Sequence, residues 1–436
     1  MTPRSVGLIS LGCAKNRVDA EHLLGGLCAR GFALVEDPAR AEVVVVNTCG
    51  FLREAVEESI EEILKAARLK ETGECRVLVV AGCLPKRYPE LARELPEVDQ
   101  FFTPEDVARI PDVLSGAEAA AAAAPETLPR VLTQLPHSAY LKVAEGCSNR
   151  CTYCTIPSIR GSFRSFSLEP LLAEARALAA QGVVELNLVA QDVTSYGRDR
   201  GEPDALPRLL DALEEVEGLR WLRLLYGYPG PLPPGVEERL AGGGKLVPYL
   251  DLPIQHIHPR ILQAMGRRTT AAQVEETLLG LLERVPGLVL RTTAIVGFPG
   301  ETQAEFQALV DFVERVRFHH LGAFPYSPEE GTPAARLRPR VGRRVARERL
   351  DRLLEVQAGI SEGRNREFLG RELDVLIEGV EEEGRPVGRT YGQAPEVDGH
   401  TVLRGLGDEV VEIGAFVRAR VIAASEYDLE AQVLGP

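Results

Sequence analysis

The sequence predicts an α/β protein of three domains: an N-terminal domain with a small parallel sheet, a central partial (β/α)6 barrel, and a small C-terminal antiparallel β-barrel. Short aliphatic runs alternate with amphipathic helical patterns up to about residue 365, which predicts parallel strands joined by helices. Beyond that point, strands follow one another with no helical pattern between them. A chain of 436 residues is also too long for one ordinary hydrophobic core.

An alanine-rich run, Ala119–Ala124, is closed by Pro125 and is typical of a linker or a frayed helix. We place the first domain boundary there. The predicted division is an N-terminal domain 1–116, a linker 117–132, a central domain 133–365 and a C-terminal domain 366–436.

Three aliphatic runs predict the strands of the N-terminal sheet, and two amphipathic patterns predict its helices. The strands are Val6–Ser10, Val43–Asn47 and Val77–Ala81, and the helices are Asp19–Arg30 and Arg53–Leu69. Strands that alternate with helices pair in parallel through right-handed crossovers. The carboxyl ends of these strands are therefore expected at one edge of the sheet.

The same alternation continues through six further strands in the central domain. Helical patterns separate most of these strands. Six βα units close most of an eight-stranded barrel, and ligands in such folds bind at the carboxyl ends of the strands. The predicted strands are Tyr140–Ala144, Val183–Val189, Trp221–Tyr226, Leu246–Leu252, Leu288–Val296 and His320–Tyr326, and the clearest helices are Leu168–Ala180, Gln273–Arg284 and Thr302–Val316.

A long helical pattern, Val341–Glu367, precedes the C-terminal strands. Gly, Pro and Asp turns separate these strands, which predicts an antiparallel barrel of about 70 residues. Residues 366–436 hold seven Arg, no Lys and fifteen Asp or Glu, a net charge of −8 and a poor surface for binding phosphate. The predicted strands are Arg371–Val380, Val387–Tyr391, Thr401–Leu403, Phe416–Ala424 and Leu429–Leu434.

Composition limits the possible functions. The formal net charge of −14 favours a basic partner over free nucleic acid. No apolar run approaches the roughly 20 residues that span a bilayer, so we expect a cytoplasmic protein with no membrane partner. In a reducing compartment the eight cysteines are more readily explained as ligands, reactive thiols or core residues than as disulfides.

Three cysteines directly after the first central strand form a C-x-x-x-C-x-x-C motif, Cys147, Cys151 and Cys154, here called the central trio. Three thiolates in one loop suit a four-iron four-sulfur (4Fe–4S) cluster with one iron left open. The alternative is a zinc loop completed by a distant His or Cys, but structural zinc usually has four ligands in two pairs.

A second set of cysteines, Cys13, Cys49 and Cys83, is here called the N-terminal trio. Each follows the carboxyl end of a predicted strand and has a glycine beside it. Neighbouring parallel strands would bring these thiols together as a second cluster site. The alternative is three unrelated buried cysteines.

The segment Glu145–Cys154, Glu-Gly-Cys-Ser-Asn-Arg-Cys-Thr-Tyr-Cys, resembles the cluster loop of radical S-adenosylmethionine (SAM) enzymes. The resemblance implies that the open iron binds the amino and carboxylate groups of SAM and that an electron from the cluster cleaves SAM to a 5′-deoxyadenosyl radical. It also implies that Tyr153 lies near the adenine. Gln191 is a candidate contact of the ribose or an ordinary polar residue at a strand end, and Gly297 is a candidate contact of the adenine or a glycine that makes the turn.

The chain as a whole is similar to the methylthiotransferases of this superfamily, whose terminal module is a TRAM domain. The resemblance implies two 4Fe–4S clusters, SAM and an electron donor protein. The N-terminal cluster would hold or deliver sulfur, one SAM would methylate it, and another would supply the radical. The motifs concerned are Leu11–Asn16, Asn47–Gly50, Gly82–Leu84, Gln191-Asp192, Pro253–His256, Gly297–Thr302 and Tyr326-Ser327.

Two branches of that family differ in substrate. One modifies the β-carbon of an aspartate in ribosomal small-subunit protein number twelve, and the other modifies an adenosine of tRNA. Lys15, Glu329 and the segment 388–399 resemble the ribosomal branch, and the acidic terminal module agrees because ribosomal proteins are basic. The tRNA enzyme stays an alternative, as does a non-enzymatic electron carrier in which Cys28 and Cys75 complete two four-thiolate clusters.

Other charged residues have less specific interpretations. The arginine-rich stretch Arg336–Arg352 is either a phosphate-binding strip or a solvated helix face paired by nearby acidic residues; rRNA would lie near a ribosome-bound substrate. Lys142 and Arg160 are candidates to bind a carboxylate. The pair His256 and His258 is a weak candidate for metal binding.

Overall fold

The computed structural model describes residues 4–116, 130–381, 384–405 and 412–434. The alanine-rich run of the predicted linker lies outside these residues. Within them, no helix is both long enough and apolar enough to cross a membrane.

The N-terminal domain is a five-stranded parallel sheet with helices on its two faces, in the strand order β2-β1-β3-β4-β5. All six residues of β3 are buried, as expected for a central strand covered on both faces. The three predicted strands are confirmed, while β2 and β5 are edge strands too short to leave a pattern. The strands are β1 (Ser5–Ser10), β2 (Ala33–Leu34), β3 (Val43–Thr48), β4 (Val77–Gly82) and β5 (Gln100–Phe102), and the helices are α1 (Ala14–Ala29), α2 (Arg53–Thr72), α3 (Cys83–Arg87), α4 (Leu91–Glu94) and α5 (Ile110–Ser115).

The central domain holds six parallel strands in the order β13-β12-β11-β10-β9-β6, with β7 and β8 as a separate antiparallel pair. Each of the six predicted strands is found within two residues of its predicted bounds. The strands are β6 (Ser138–Lys142), β7 (Ala144–Glu145), β8 (Arg164–Ser165), β9 (Glu185–Val189), β10 (Trp221–Leu224), β11 (Leu246–Asp251), β12 (Val289–Val296) and β13 (His320–Pro325).

The helices of the central domain cover the outer face of this sheet. Helix α12 begins where the sequence predicts because Thr302 and Glu305 form a capping box at its first turn. The long helix α13 packs against α12 and β13. The helices are α6 (Ile156–Arg160), α7 (Leu168–Ala180), α8 (Ala205–Glu214), α9 (Val236–Ala241), α10 (Pro259–Ala264), α11 (Ala271–Arg284), α12 (Gln303–Val316) and α13 (Arg343–Arg366).

The C-terminal domain is a closed five-stranded barrel in the order β14-β15-β16-β18-β17. Four neighbouring pairs are antiparallel, and β16 pairs with β18 in parallel. An odd number of strands cannot alternate in direction all the way around a closed barrel, so one parallel pair is unavoidable. The strands are β14 (Glu372–Val380), β15 (Pro386–Arg389), β16 (Thr401–Arg404), β17 (Phe416–Ala424) and β18 (Leu429–Val433).

The connection between β15 and β16, residues 390–400, lies against strands of the central sheet. Tyr249 donates a hydrogen bond from its hydroxyl to Asp398 over 2.6 Å, and Arg223 donates to the carbonyl of Tyr391 over 2.6 Å. Arg389 at the end of β15 bonds the fully buried carboxylate of Glu185 over 2.6 Å. The barrel is therefore joined to the central domain by buried polar contacts.

Candidate cluster sites

The N-terminal trio lies at the carboxyl edge of three adjacent parallel strands. Cys13 caps the start of α1 after β1, Cys49 directly follows β3, and Cys83 is the first residue of α3 after β4. Gly12 has φ +97°, and a Cβ built on it would lie 3.4 Å from Sγ of Cys49. The loop before α1 thus approaches its neighbour closely, and glycine permits both the approach and the left-handed backbone.

Charges near the N-terminal trio differ from one thiol to the next. Burial raises the pKa of Cys83 to about 11 and also raises the pKa of Cys49, although the charge of Arg160 acts against it at both. Burial acts in the same direction on Cys13, but the Lys15 ammonium and backbone N–H groups outweigh it and leave the pKa of Cys13 below its usual value. Because iron binds the thiolate, the two cations favour the form of the trio that a cluster requires.

The central trio is held by a tight loop after β7. The Cys147 N–H donates to the carbonyl of Gly161 over 3.0 Å. Gly146 has φ +77°, and a Cβ there would lie 2.2 Å from the carbonyl oxygen of Ser162, so the position requires glycine. Burial raises the pKa of Cys154 to about 12. Iron binding would have to supply the free energy that keeps this thiolate charged.

Arg267 is a cation beside the central trio that no sequence motif indicates. Nη1 of Arg267 lies 3.8 Å from Sγ of Cys151, and Nη2 donates to the carbonyl of Pro253 over 2.8 Å. The guanidinium also stacks 4.1 Å from the ring centre of Tyr228. No local motif marks Arg267, because its position depends on how the turn after α10 packs on the cluster loop. Tyr153 packs nearby against an apolar cluster that includes Phe298.

Two buried amide oxygens near the central trio have no hydrogen-bond donor among the described residues. Gln191 donates from Nε2 to Glu145 over 2.9 Å, while its Oε1 is unpaired. Asn149 donates from Nδ2 to Asp192 over 3.1 Å, while its Oδ1 is unpaired. Unpaired buried acceptors are costly, so both fit a ligand that brings donors, such as the amino group or ribose hydroxyls of SAM.

Gly297 has a packing role that is independent of any cofactor. It has φ +73°, and a Cβ there would lie 2.7 Å from Cβ of Ala346 in α13. This contact alone requires glycine. A contact between Gly297 and the adenine stays a prediction.

An ion-pair network crosses the boundary between the N-terminal and central domains, beside the two trios. Arg160 donates to Asp19 of α1 over 2.7 Å and to Glu145 over 3.1 Å. Lys142 bonds the same two carboxylates. The sequence predicted that Lys142 and Arg160 bind a carboxylate, and the carboxylates they contact belong to the chain itself. Arg160 also donates from Nε to Sγ of Cys83 over 3.3 Å.

The structure also locates the weaker metal candidates. His256 accepts the backbone N–H of His258 on Nδ1 over 3.0 Å, and His258 lies 3.3 Å from Glu305. In the described ranges, no three His, Cys, Asp or Glu side chains are close enough to hold a single metal ion, so neither trio is preformed as a zinc site. Thiolates that bind separate irons of one cluster need not converge on a single ion in this way.

Three arginines of the arginine-rich stretch pair with acidic residues of the same helix. Arg344 bonds Glu348, Arg347 lies 3.0 Å from Asp351, and Arg352 lies 2.8 Å from Glu355. These are the acidic partners that the sequence indicated for a solvated helix face. A further arginine of the stretch, Arg349, is buried and bonds Glu301 over 3.0 Å.

Comparison with known proteins identifies the three domains. The family model "Uncharacterized protein family UPF0004" matches residues 5–103, the radical SAM superfamily matches 141–313, and the TRAM domain matches 369–434. Among solved structures, the radical SAM methyltransferase TsrM from Kitasatospora setae is 17% identical, with a TM-score of 0.51 over 76% of this chain and 77% of that one. The radical SAM enzyme OxsB is 13% identical, with a TM-score of 0.51 over 82% of this chain and 56% of that one. The fold and the family matches together define a radical SAM enzyme, a class that uses SAM and a 4Fe–4S cluster.

Two curated relatives share almost the full length of the chain. "Ribosomal protein uS12 methylthiotransferase RimO" of Anaeromyxobacter sp. (strain K) is 48% identical over 98% of this chain and 92% of its own length. The protein of the same name from Geobacter sulfurreducens is 45% identical over 98% of both chains. The chain belongs to the RimO family of radical SAM methylthiotransferases. Membership excludes the non-enzymatic electron carrier.

Proposed function

We propose that this enzyme attaches a methylthio group to the β-carbon of an aspartate in ribosomal protein uS12. Two 4Fe–4S clusters would take part, one on the central trio and one on the N-terminal trio. The observation that carries the proposal is the placement of the two trios on facing domains, joined through Arg160, whose guanidinium contacts Cys83 on one side and Glu145 on the other.

When bound, the central cluster and SAM supply a radical that can remove hydrogen from an unactivated carbon, and the N-terminal cluster and a second SAM supply the sulfur and its methyl group. The chain's own residues bind and orient these groups. The unpaired acceptors on Gln191 and Asn149 suit the donors of SAM, and Arg267 places a positive charge beside Cys151. An electron donor protein is required because the chemistry consumes electrons.

Charge supports a protein substrate over tRNA. The C-terminal domain has a net charge of −8 over residues 366–436, and exposed arginines of the barrel pair with acidic neighbours. An acidic surface attracts a basic ribosomal protein and repels RNA phosphates. With a ribosomal substrate, the enzyme would act in the cytoplasm with rRNA nearby.

The direct test incubates anaerobically reconstituted enzyme with SAM, reductant and sulfide, together with either uS12 or tRNA. Mass spectrometry of both substrates should find the added methylthio mass on an aspartate of uS12 alone. Modification of tRNA instead would assign the chain to the tRNA branch. If the enzyme cleaves SAM but modifies neither substrate, the proposal that it transfers a methylthio group is overturned.

A further inference from the structure

Lys15 is a buried cation that pairs with no carboxylate among the residues that the structure describes. Its side chain lies in the first turn of α1, and the residue is 8% exposed. Its Nζ lies 3.4 Å from the ring centre of Tyr226, and within the described ranges it makes no ion pair. An aromatic ring compensates only part of the cost of removing an ammonium from water.

The ammonium lies where two functional parts of the enzyme meet. Lys15 lies in the first turn of α1, two residues beyond Cys13, which is the N-cap of that helix. Tyr226 is two residues beyond the end of β10, at the carboxyl rim of the central sheet. Ligands of such sheets bind at that rim. An anion bound by Lys15 would therefore lie between the N-terminal trio and the central barrel.

The ring under the ammonium is held in a fixed position. Tyr226 has φ +62°, a strained value for a bulky residue that its hydrogen bonds maintain. Its N–H donates to Asp251 over 3.3 Å, and its carbonyl accepts the N–H of Val193 over 3.1 Å. Asp251 is itself paired with Arg291 over 3.4 Å, so this nearby carboxylate does not serve Lys15. The positive charge of Lys15 remains available to a ligand.

On the basis of the proposed function, we propose that Lys15 binds the side-chain carboxylate of the substrate aspartate and thereby determines specificity for aspartate. The β-carbon is bonded directly to the carboxylate carbon, so an ion pair at Lys15 holds the reacting carbon one bond from the anchored group. It also holds that carbon beside Cys13. Asparagine has the same shape but no charge, and it would leave the ammonium unpaired.

The test measures binding of purified uS12 to the iron-loaded enzyme under anaerobic conditions by fluorescence anisotropy. The two ligands are unmodified uS12, which carries the target aspartate, and the uS12 variant in which that aspartate is replaced by asparagine. We expect the wild-type enzyme to prefer aspartate by roughly ten- to hundredfold, the range of a charged hydrogen bond. Lys15→Met should reduce this preference to about onefold, since it keeps the length of the side chain and removes its charge.

Two further variants make the result specific. Lys65→Met makes the same change at a half-exposed lysine of α2 and should leave the preference intact. Tyr226→Leu leaves Lys15 unchanged and removes the ring that holds its ammonium in place, so it should reduce the preference a few-fold. If Lys15→Met lowers the iron content, the proposal is judged on the binding preference of Tyr226→Leu.

A Lys15→Met enzyme that still prefers aspartate, or one that loses affinity equally for both substrates, overturns the proposal. So does an unchanged preference in Tyr226→Leu. These failures differ from a failure of the proposed function, in which the wild-type enzyme does not modify uS12 at all.

Discussion

Arg160 of the central domain donates a hydrogen bond from Nε to Sγ of Cys83 in the N-terminal domain over 3.3 Å. The same guanidinium donates to Asn16 over 2.9 Å and to Asp19 over 2.7 Å. Arg160 also lies six residues beyond Cys154, the last cysteine of the central trio. Arg160 therefore contacts a cysteine of the N-terminal trio from the segment that follows the central trio.

Replacing Arg160 with Gln should lower the reduction potential of the N-terminal cluster. Loss of an N–H···S bond and of a positive charge makes a thiolate-bound cluster harder to reduce. A redox titration of the holoenzyme followed by electron paramagnetic resonance measures the shift. The exposed Arg164→Gln on the same segment is the control. Equal potentials in the two variants would contradict a contact between Arg160 and a cluster ligand.

Replacing a cysteine of either trio with Ala should lower the iron content from about eight to about four per chain. Variants at Cys13, Cys49 or Cys83 should still cleave SAM but add no methylthio group, and variants of the central trio should lose both activities. Cys28→Ala and Cys75→Ala, outside the trios, should keep both. Unchanged iron in the first group would show that the N-terminal trio holds no cluster.

Glu185→Gln should destabilise the docking of the C-terminal barrel. Glu185 is fully buried and bonds Arg223 and Arg389, so its loss leaves the buried guanidinium of Arg223 without a carboxylate and that of Arg389 with Glu378 alone. Breaking such a group costs roughly 3–5 kcal/mol, which urea unfolding can measure. The exposed pair of Glu372 and Arg420 provides the control, since Glu372→Gln should cost about 0–1 kcal/mol.

The same carboxylate predicts how stability depends on pH. Burial raises the pKa of Glu185, but the charges of Arg389 and Arg223 outweigh this effect and lower the pKa to about 2. The unfolded value is about 4.3, so the stabilisation is fully present above that pH and is lost as the pH falls toward 2. Glu185→Gln should flatten the decline in unfolding free energy between these values. An equally steep decline in the variant would assign the acid sensitivity to other carboxylates.

Glu329→Gln should loosen the N-terminal domain from the central one. Glu329 and Arg87 have side chains 3% and 6% exposed and lie 2.8 Å apart, and Glu329 also accepts the N–H of Arg53 over 3.1 Å. Faster hydrogen exchange around α3 would report the change. The exposed neighbour Glu330→Gln should leave exchange unaltered.

The sequence predicts those features of the site that depend on residues close together along the chain. Cysteines placed just beyond strand ends implied the position of the N-terminal trio, because parallel strands end at one edge. The partner of Arg160 could not be inferred in this way, since Cys83 is 77 positions away and belongs to another domain. The position of Arg267 beside Cys151 could not be inferred either, since it also depends on tertiary packing. Gly297 belongs to a recognisable motif, yet the structure gives it a packing role against α13 that the motif does not indicate.

The connection 390–400 has a practical consequence for shortened forms of the chain. Its backbone and Asp398 accept hydrogen bonds from Arg223 and Tyr249, which are both buried in the central sheet. Cutting the chain before the barrel would expose an apolar surface of the central sheet. It would also leave the polar groups of Arg223 and Tyr249 without their hydrogen-bond partners. Loss of activity in a truncated enzyme would therefore indicate that the central domain is destabilised, and not that a substrate-binding module has been removed.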